Sequence, residues 1–210
     1  MILQGASVNT PRMAARPSPI YLLAGGLSWP FVRLLFRLRA TGLEHLPKTG
    51  GYVLAANHTS NFDPWALGIP LFPRRWLRFM AKSELYWWPL GALLDAGGAF
   101  PVERGRGDVE AIARAVELVR GGEVVVMFPE GTRVRKGLRK RWEARPHTGA
   151  ARIAWQAGAP LVPAAIKGTD RLARLRPLRV AYGPPVEVSE DSRETTERLM
   201  AAIRRLHEAP

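Results

Sequence analysis

Tyr52-Val53-Leu54-Ala55-Ala56-Asn57-His58-Thr59-Ser60-Asn61-Phe62-Asp63-Pro64-Trp65-Ala66-Leu67-Gly68-Ile69 is the stretch that decides the fold. Its first five residues form an uninterrupted apolar run, the pattern of a short buried strand. Its last five read as the start of a helix. The polar residues between them therefore lie on a loop where a strand ends and a helix begins, the place where open α/β sheets bind ligands. His58 is one of only four histidines, and Asp63 lies five residues on. On a continuous helix the two would face different ways, at about 100° per residue. The turn-forming Thr59-Ser60-Asn61 allows them to meet. A carboxylate bonded to one imidazole nitrogen would fix the tautomer and make the other nitrogen a base for a hydroxyl proton. The same residues also suit a helix start, with Asp63 as N-cap and Pro64 in the first turn, and in that role neither His58 nor Asp63 has any chemistry to do.

Outward from this loop, strands and helices alternate from residue 40 on. The pattern predicts strands at 52–57, 76–81, 98–102, 123–128, 161–166 and 178–182, and helices at 64–71, 86–94, 108–120, 147–157 and 192–207. Such alternation argues an α/β fold with a mostly parallel central sheet flanked by helices. Val124-Val125-Val126-Met127-Phe128 and Leu161-Val162-Pro163-Ala164-Ala165-Ile166 have the composition of central strands covered on both faces. Residues 1–17 are rich in Arg and Pro, lack a signal-peptide pattern, and are expected to be a flexible start. Residues 18–39 are expected to form a short amphipathic helix pair, broken at Gly25-Gly26 and restarted near Pro30, with residues 40–210 as the α/β domain. The apolar part of 18–39 is too short and interrupted for a spanning helix of roughly 20 residues. Its Trp29, Tyr21, Arg33 and Arg37 suit helices lying in a membrane interface, or alternatively packed on the protein's own core.

The chain has 210 residues, 47% of them hydrophobic, which suits one globular domain with a small appendage. It contains no cysteine, so disulfides, a thiolate nucleophile and a Cys-ligated metal are excluded. Nor is there an HExxH-like cluster to suggest zinc, and no metal is expected. The net charge is +13 and the pI about 11.2, values that favour polyanionic partners: nucleic acid, anionic headgroups or phosphorylated substrates.

Three further strand ends carry polar residues. Ala99-Phe100-Pro101-Val102 runs into Glu103-Arg104-Gly105-Arg106-Gly107, where arginines between glycines can grip a phosphate or simply form a solvated turn. The strand at 123–128 runs into Pro129-Glu130-Gly131-Thr132-Arg133, where a partly shielded Glu130 needs a partner such as Arg133 or a turn N–H. Residues 133–145 then hold seven basic residues, one acid and Trp142, a loop suited to nucleic acid, to a lipid surface or to plain solvation. Lys82 ends another strand and precedes Tyr86-Trp87-Trp88-Pro89, an aromatic group for a headgroup interface or a core.

Taken together these blocks resemble the glycerolipid acyltransferases. His58-x4-Asp63 looks like the first block of that family, Gly98-Ala99-Phe100-Pro101-Val102-Glu103-Arg104 the second, Phe128-Pro129-Glu130-Gly131-Thr132-Arg133 the third, and Leu161-Val162-Pro163-Ala164 the fourth. They stand in family order over roughly residues 40–185, and the bacterial 1-acyl-sn-glycerol-3-phosphate acyltransferases are the group most resembled. The resemblance implies direct transfer of an acyl chain from a thioester, on acyl carrier protein or coenzyme A, to the hydroxyl of lysophosphatidic acid. It implies no cofactor and no specific nucleic acid, and it leaves the oligomeric state open. His58 would be the base and Asp63 its orienter. Arg104 would bind substrate phosphate, with Lys82 nearby; Glu130, Gly131, Thr132 and Arg133 would shape the acceptor site; Pro163 would line the acyl side. Backbone N–H groups at the start of the helix after Asp63 are expected to meet the oxyanion. The implied location is the cytoplasmic face of the membrane, monotopic or peripheral. Glu103 and Ala164 depart from the usual family residues. The alternatives are another acceptor (a lyso-aminolipid, a glycolipid or glycerol phosphate), or a non-catalytic basic module that binds lipid or nucleic acid.

Overall fold

Both faces of the run at 52–56 are covered, and all five residues are buried. Side chains alternate across a strand. Val53 and Ala55 therefore face one apolar layer with Ile153, Leu199 and Ile203, while Tyr52, Leu54 and Ala56 face another with Leu67, Leu77 and Val162. A fully buried Leu54 reduced to alanine would cost about 2–5 kcal/mol.

The computed structural model describes residues 17–102, 108–131 and 146–209. In chain order its elements are α1 (Pro19–Leu35), β1 (Arg39–Thr41), β2 (Tyr52–Ala56), α2 (Asp63–Gly68), β3 (Leu77–Lys82), α3 (Leu90–Ala96), β4 (Ala99–Val102), α4 (Asp108–Arg120), β5 (Val124–Met127), α5 (Gly149–Ala157), β6 (Leu161–Lys167), β7 (Arg179–Tyr182) and α6 (Ser192–Glu208). Short 3-10 turns occur at Leu43–His45, Ile69–Leu71, Ser83–Leu85 and Thr169–Arg174. The seven strands form one sheet in the order β1-β7-β6-β2-β5-β3-β4. All pairs are parallel except β6 with β7. The predicted α/β class is the one observed.

The order places β2 at the switch point. After β2 the chain moves two places over to β3, returns through β5, and crosses to the other side of β2 as β6. The carboxyl ends of β5, β2 and β6 are thereby adjacent, and the crevice between them is where an open sheet of this kind holds its ligand.

Some boundaries differ from those expected. The helix after Asp63 ends at Gly68 and tightens into the 3-10 turn Ile69–Leu71, because Pro70 has no N–H to continue the α-helical ladder. The helix expected from 86 starts at Leu90, after Pro89. Strand β1 lacked a sequence signal, since its three residues are largely exposed and pair only at the sheet edge.

The expected helix pair at 18–39 is instead one helix, α1, with Pro30 inside it. Ser18 caps its start: its Oγ accepts from the Tyr21 N–H at 3.0 Å and donates to the Ala96 carbonyl at 2.8 Å. Gly25 does not break the helix, because tertiary packing uses its missing side chain. A Cβ there would lie 2.3 Å from the Phe72 ring. Along α1, Leu23, Leu27, Phe31 and Leu34 are each 60–77% exposed. No helix of the described residues is long and apolar enough to cross a membrane.

Candidate active site

Asp63 is fully buried and accepts four hydrogen bonds. Its Oδ2 accepts from the Thr59 N–H at 2.6 Å and the Ser60 N–H at 2.8 Å, and faces His58 Nδ1 at 2.8 Å. Its Oδ1 accepts from the Thr169 hydroxyl. Burial alone would push this carboxyl up, but the His58, Thr169, Ser60 and Thr59 hydrogen bonds outweigh it and hold Asp63 below its ordinary value of 3.8. An ionised Asp63 can only accept, so the proton lies on His58 Nδ1 and Nε2 is left as the acceptor. Asp63 is not the N-cap of α2, a position held by Phe62 without a side-chain bond. The carboxylate instead folds the loop back onto His58.

Three strand ends hold this loop. From β5, the Glu130 carboxylate accepts the His58 backbone N–H at 3.2 Å. Phe128 stacks on the imidazole at 4.1 Å between centroids and 18° between planes, which fixes the ring. From β6, Thr169 bonds Asp63 and also lies 3.1 Å from the Thr59 hydroxyl. At the end of β2, Asn57 is buried and clamps β6: its Nδ2 donates to the Ile166 carbonyl at 3.0 Å and its Oδ1 accepts the Ile166 N–H at 2.8 Å. Burial raises Glu130 above its ordinary value of 4.5, against the opposing hydrogen bond from the His58 N–H.

His58 opens on a cleft of about 1190 Å³. The cleft runs over the β5-β3-β4 half of the sheet, and its lining includes Ile20, Tyr21, Trp65, Phe72, Met80 and Leu93. Lys82 at the end of β3 and Arg152 on α5 add two cations to this apolar wall. Gly131 lines it too, in a left-handed conformation (φ 68°) with His147 so near that a Cβ would lie 2.3 Å from Nε2.

Of the residues predicted for the site, His58 and Asp63 are joined directly, Glu130 holds the His58 backbone, and Gly131 and Lys82 share the His58 cleft. Pro163 is buried within β6, paired with Ala55, and lines neither large cleft. Arg104, Thr132 and Arg133, with the basic loop 133–145, lie outside the described residues. The expected oxyanion donors at the start of α2 are largely committed elsewhere. Asp63 N–H goes to the Ser60 carbonyl, Phe62 N–H to Ser60 Oγ, Ala66 N–H to the Phe62 carbonyl, and Pro64 has none. Thr169, Phe128 and Arg152 were not anticipated. For Thr169 the signal was present: Gly168-Thr169 follows a strong apolar strand, as the other flagged residues do.

The arrangement is that of an α/β enzyme with a carboxylate-oriented imidazole at its strand ends, set to take a hydroxyl proton beside a large apolar cleft. Residues 37–167 match the acyltransferase family, and this chain belongs to that family. It is similar to the 1-acyl-sn-glycerol-3-phosphate acyltransferase of Bacillus subtilis, at 32% identity over 76% of this chain and 79% of that protein. It is also similar to a chloroplast 1-acyl-sn-glycerol-3-phosphate acyltransferase of Brassica napus, at 33% identity over 62% of this chain but only 37% of that protein. The crystal structure of the Thermotoga maritima 1-acyl-sn-glycerophosphate acyltransferase PlsC has the same fold, with TM-score 0.62 at 23% identity, covering 89% of this chain and 78% of that one.

Proposed function

We propose that this enzyme moves a fatty acyl chain from an acyl thioester to the free hydroxyl of lysophosphatidic acid, giving phosphatidic acid for phospholipid synthesis. The observation that carries the proposal is the His58–Asp63 pair at the wall of an apolar cleft. Relatives named for this reaction support the acceptor.

His58 Nε2 takes the proton of the acceptor hydroxyl as its oxygen attacks the thioester carbonyl. The new C–O bond forms, the C–S bond breaks, and the proton held by the imidazole passes to the departing thiolate. Asp63 stabilises the imidazolium and Phe128 holds its plane. Lys82 and Arg152, cations in an otherwise apolar wall, suit the acceptor phosphate. No metal or cofactor enters these steps, and the donor is acyl carrier protein or coenzyme A carrying the acyl chain.

The lipid substrates reach the cleft from a membrane surface. Ile20 on α1, Trp65 and Leu93 line the cleft and are also exposed, beside Leu23, Leu27, Phe31 and Leu34, and Trp87 and Trp88 are 59% and 86% exposed just before α3. An apolar face of this size, with Arg33 over the Trp29 ring at 5.1 Å, suits the interface of an anionic bilayer on its cytoplasmic side. The enzyme is then peripheral or monotopic. The test is transfer of a labelled acyl chain from its thioester to lysophosphatidic acid, beside a lyso-aminolipid and glycerol phosphate. Labelled phosphatidic acid as the main product is expected; preference for either other acceptor would overturn the proposed substrate.

A further inference from the structure

A second cleft, of about 1090 Å³, reaches the same loop from the other side. The His58 cleft lies over the β5-β3-β4 half of the sheet and is walled by α1, α2 and α3. The second is lined by Thr169–Arg174, just after β6, and by the last turns of α6. The loop after β2 stands between them: His58 and Asn61 line the first, Asn57, Thr59 and Ser60 the second.

The two clefts differ in where their polar groups sit. The floor of the second is polar, with Thr59, Ser60, Thr169 and Glu130 within one network about Asp63 and His58. Its rim is basic. Arg171 is engaged by Asp170 at 3.4 Å, but among the described residues no carboxylate lies within ion-pair distance of Arg174 or Arg204, both exposed. His207 adds a third nitrogen-bearing side chain on the α6 side.

Direct transfer brings two substrates to one imidazole. The lipid acceptor and the acyl chain suit the apolar cleft, which opens beside the exposed face of α1. The carrier of the acyl chain is water-soluble and ends in a thiol borne on an amide-rich arm with a phosphate at its far end. It needs a polar route that ends at His58 and starts at a cation. The second cleft ends beside that residue, at Thr59 and at the Glu130 carboxylate that holds the His58 N–H, with hydroxyl groups at its floor and guanidinium groups at its mouth, where arginine binds phosphate bidentately.

We propose that the cleft between Thr169–Arg174 and α6 receives the phosphopantetheine arm of the acyl thioester, with Arg174 and Arg204 on its phosphate. The proposal rests on the acyl-thioester mechanism above and adds the place and residues of donor entry. Coenzyme A and acyl carrier protein share this arm, and the experiment separates them.

Arg174→Glu combined with Arg204→Glu is assayed on the full chain, with circular dichroism to check the fold. Donors are a long-chain acyl-coenzyme A, the same acyl chain on acyl carrier protein, and the same chain on N-acetylcysteamine, which lacks the phosphate. The KM for at least one phosphate-bearing donor should rise tenfold or more, while the KM for the N-acetylcysteamine thioester and for lysophosphatidic acid stays unchanged. A rise for both carriers places the shared phosphate on these arginines; a rise for one identifies the donor used. A rise for lysophosphatidic acid alone, or an equal loss with the truncated thioester, would overturn the proposal. Free 4′-phosphopantetheine binding, followed by calorimetry, separates this idea from the reaction itself. Binding by the wild type and not by the double variant upholds the site even if no acyl transfer is found, and no binding by the wild type at millimolar ligand overturns it.

Discussion

Replacing Asp63 with asparagine separates the charge of this carboxylate from its role as an acceptor. Oδ2 meets three donors, His58 Nδ1 and the Thr59 and Ser60 N–H groups, and Oδ1 meets the Thr169 hydroxyl. An asparagine keeps all three donors satisfied by placing its carbonyl oxygen where Oδ2 stands. Its NH2 then points at Thr169, whose hydroxyl reverses and donates to Thr59 Oγ1, 3.1 Å away. The opposite placement would set an NH2 against two backbone donors, at about 1–3 kcal/mol for each buried group left unpaired. Asp63→Asn therefore preserves the His58 tautomer and removes only the charge. Across roughly 4 Å, at an effective dielectric of about 20, that charge stabilises an imidazolium by about 4 kcal/mol. At about 1.4 kcal/mol per factor of ten, kcat should fall about 10²–10³-fold. The assay is thiol release from a long-chain acyl thioester with saturating lysophosphatidic acid. Both KM values should change little, and activity should stay clearly above that of His58→Ala. An Asp63→Asn enzyme as inactive as His58→Ala would refute the reasoning, because the network would then have failed to hold the tautomer. Adding Thr169→Val to Asp63→Asn removes the hydroxyl that reverses, and should lower kcat further.

Glu130→Gln should keep the acceptor for the His58 N–H but reduce a pH dependence of stability. Because burial raises the folded carboxyl above 4.5, the folded state holds its proton more tightly, and stability falls as pH rises through the window from 4.5 to the folded value. Thermal unfolding between pH 4 and 7 should show a smaller fall in Glu130→Gln than in the wild type, the remainder belonging to Glu123, which burial also raises. Asp63 acts with the opposite sign: its stabilisation is present above 3.8 and lost as pH drops through the lower folded value, a loss that Asp63→Asn should remove. Leu27→Glu with Leu34→Glu, at positions 71% and 77% exposed, should leave the melting temperature unchanged but weaken sedimentation with anionic vesicles. Each lost leucine insertion is worth about 1.5–3 kcal/mol, at least tenfold in partitioning, and unchanged binding would remove α1 from the membrane face. Gly131→Ala should destabilise by about 1–2 kcal/mol from its left-handed backbone alone, and displace His147, read as a melting temperature lower by about 2–8 °C.

The sheet was legible because its central strands are covered on both faces. Runs such as Val124–Met127 and Leu161–Ile166 cannot hide their apolar character, and the strands they predict pair as parallel neighbours of β2. Strand β1 was not legible, since an exposed three-residue edge buries too little to mark the sequence. The continuity of α1 was misread for a related reason: Gly25 signals a break locally, whereas Phe72, 47 residues away, supplies the contact that keeps it helical. In the site, the His58–Asp63 pairing was readable from a turn-forming spacer of four residues. Thr169 stands at a strand end as the other flagged residues do, but its pairing with Asp63 was not readable, because it spans 106 residues and only the order of β2 and β6 brings the two together. The oxyanion donors were not legible because a helix start offers free N–H groups only where the preceding turn leaves them unused, and here the Phe62, Asp63 and Ala66 N–H groups have partners.

The most direct test of the central claim, that His58 takes the acceptor proton, is thiol release from a long-chain acyl thioester with and without lysophosphatidic acid, for the wild type and His58→Ala. Release that requires both the acceptor and His58 is the predicted result. Acceptor-dependent release that persists in a folded His58→Ala enzyme would contradict it.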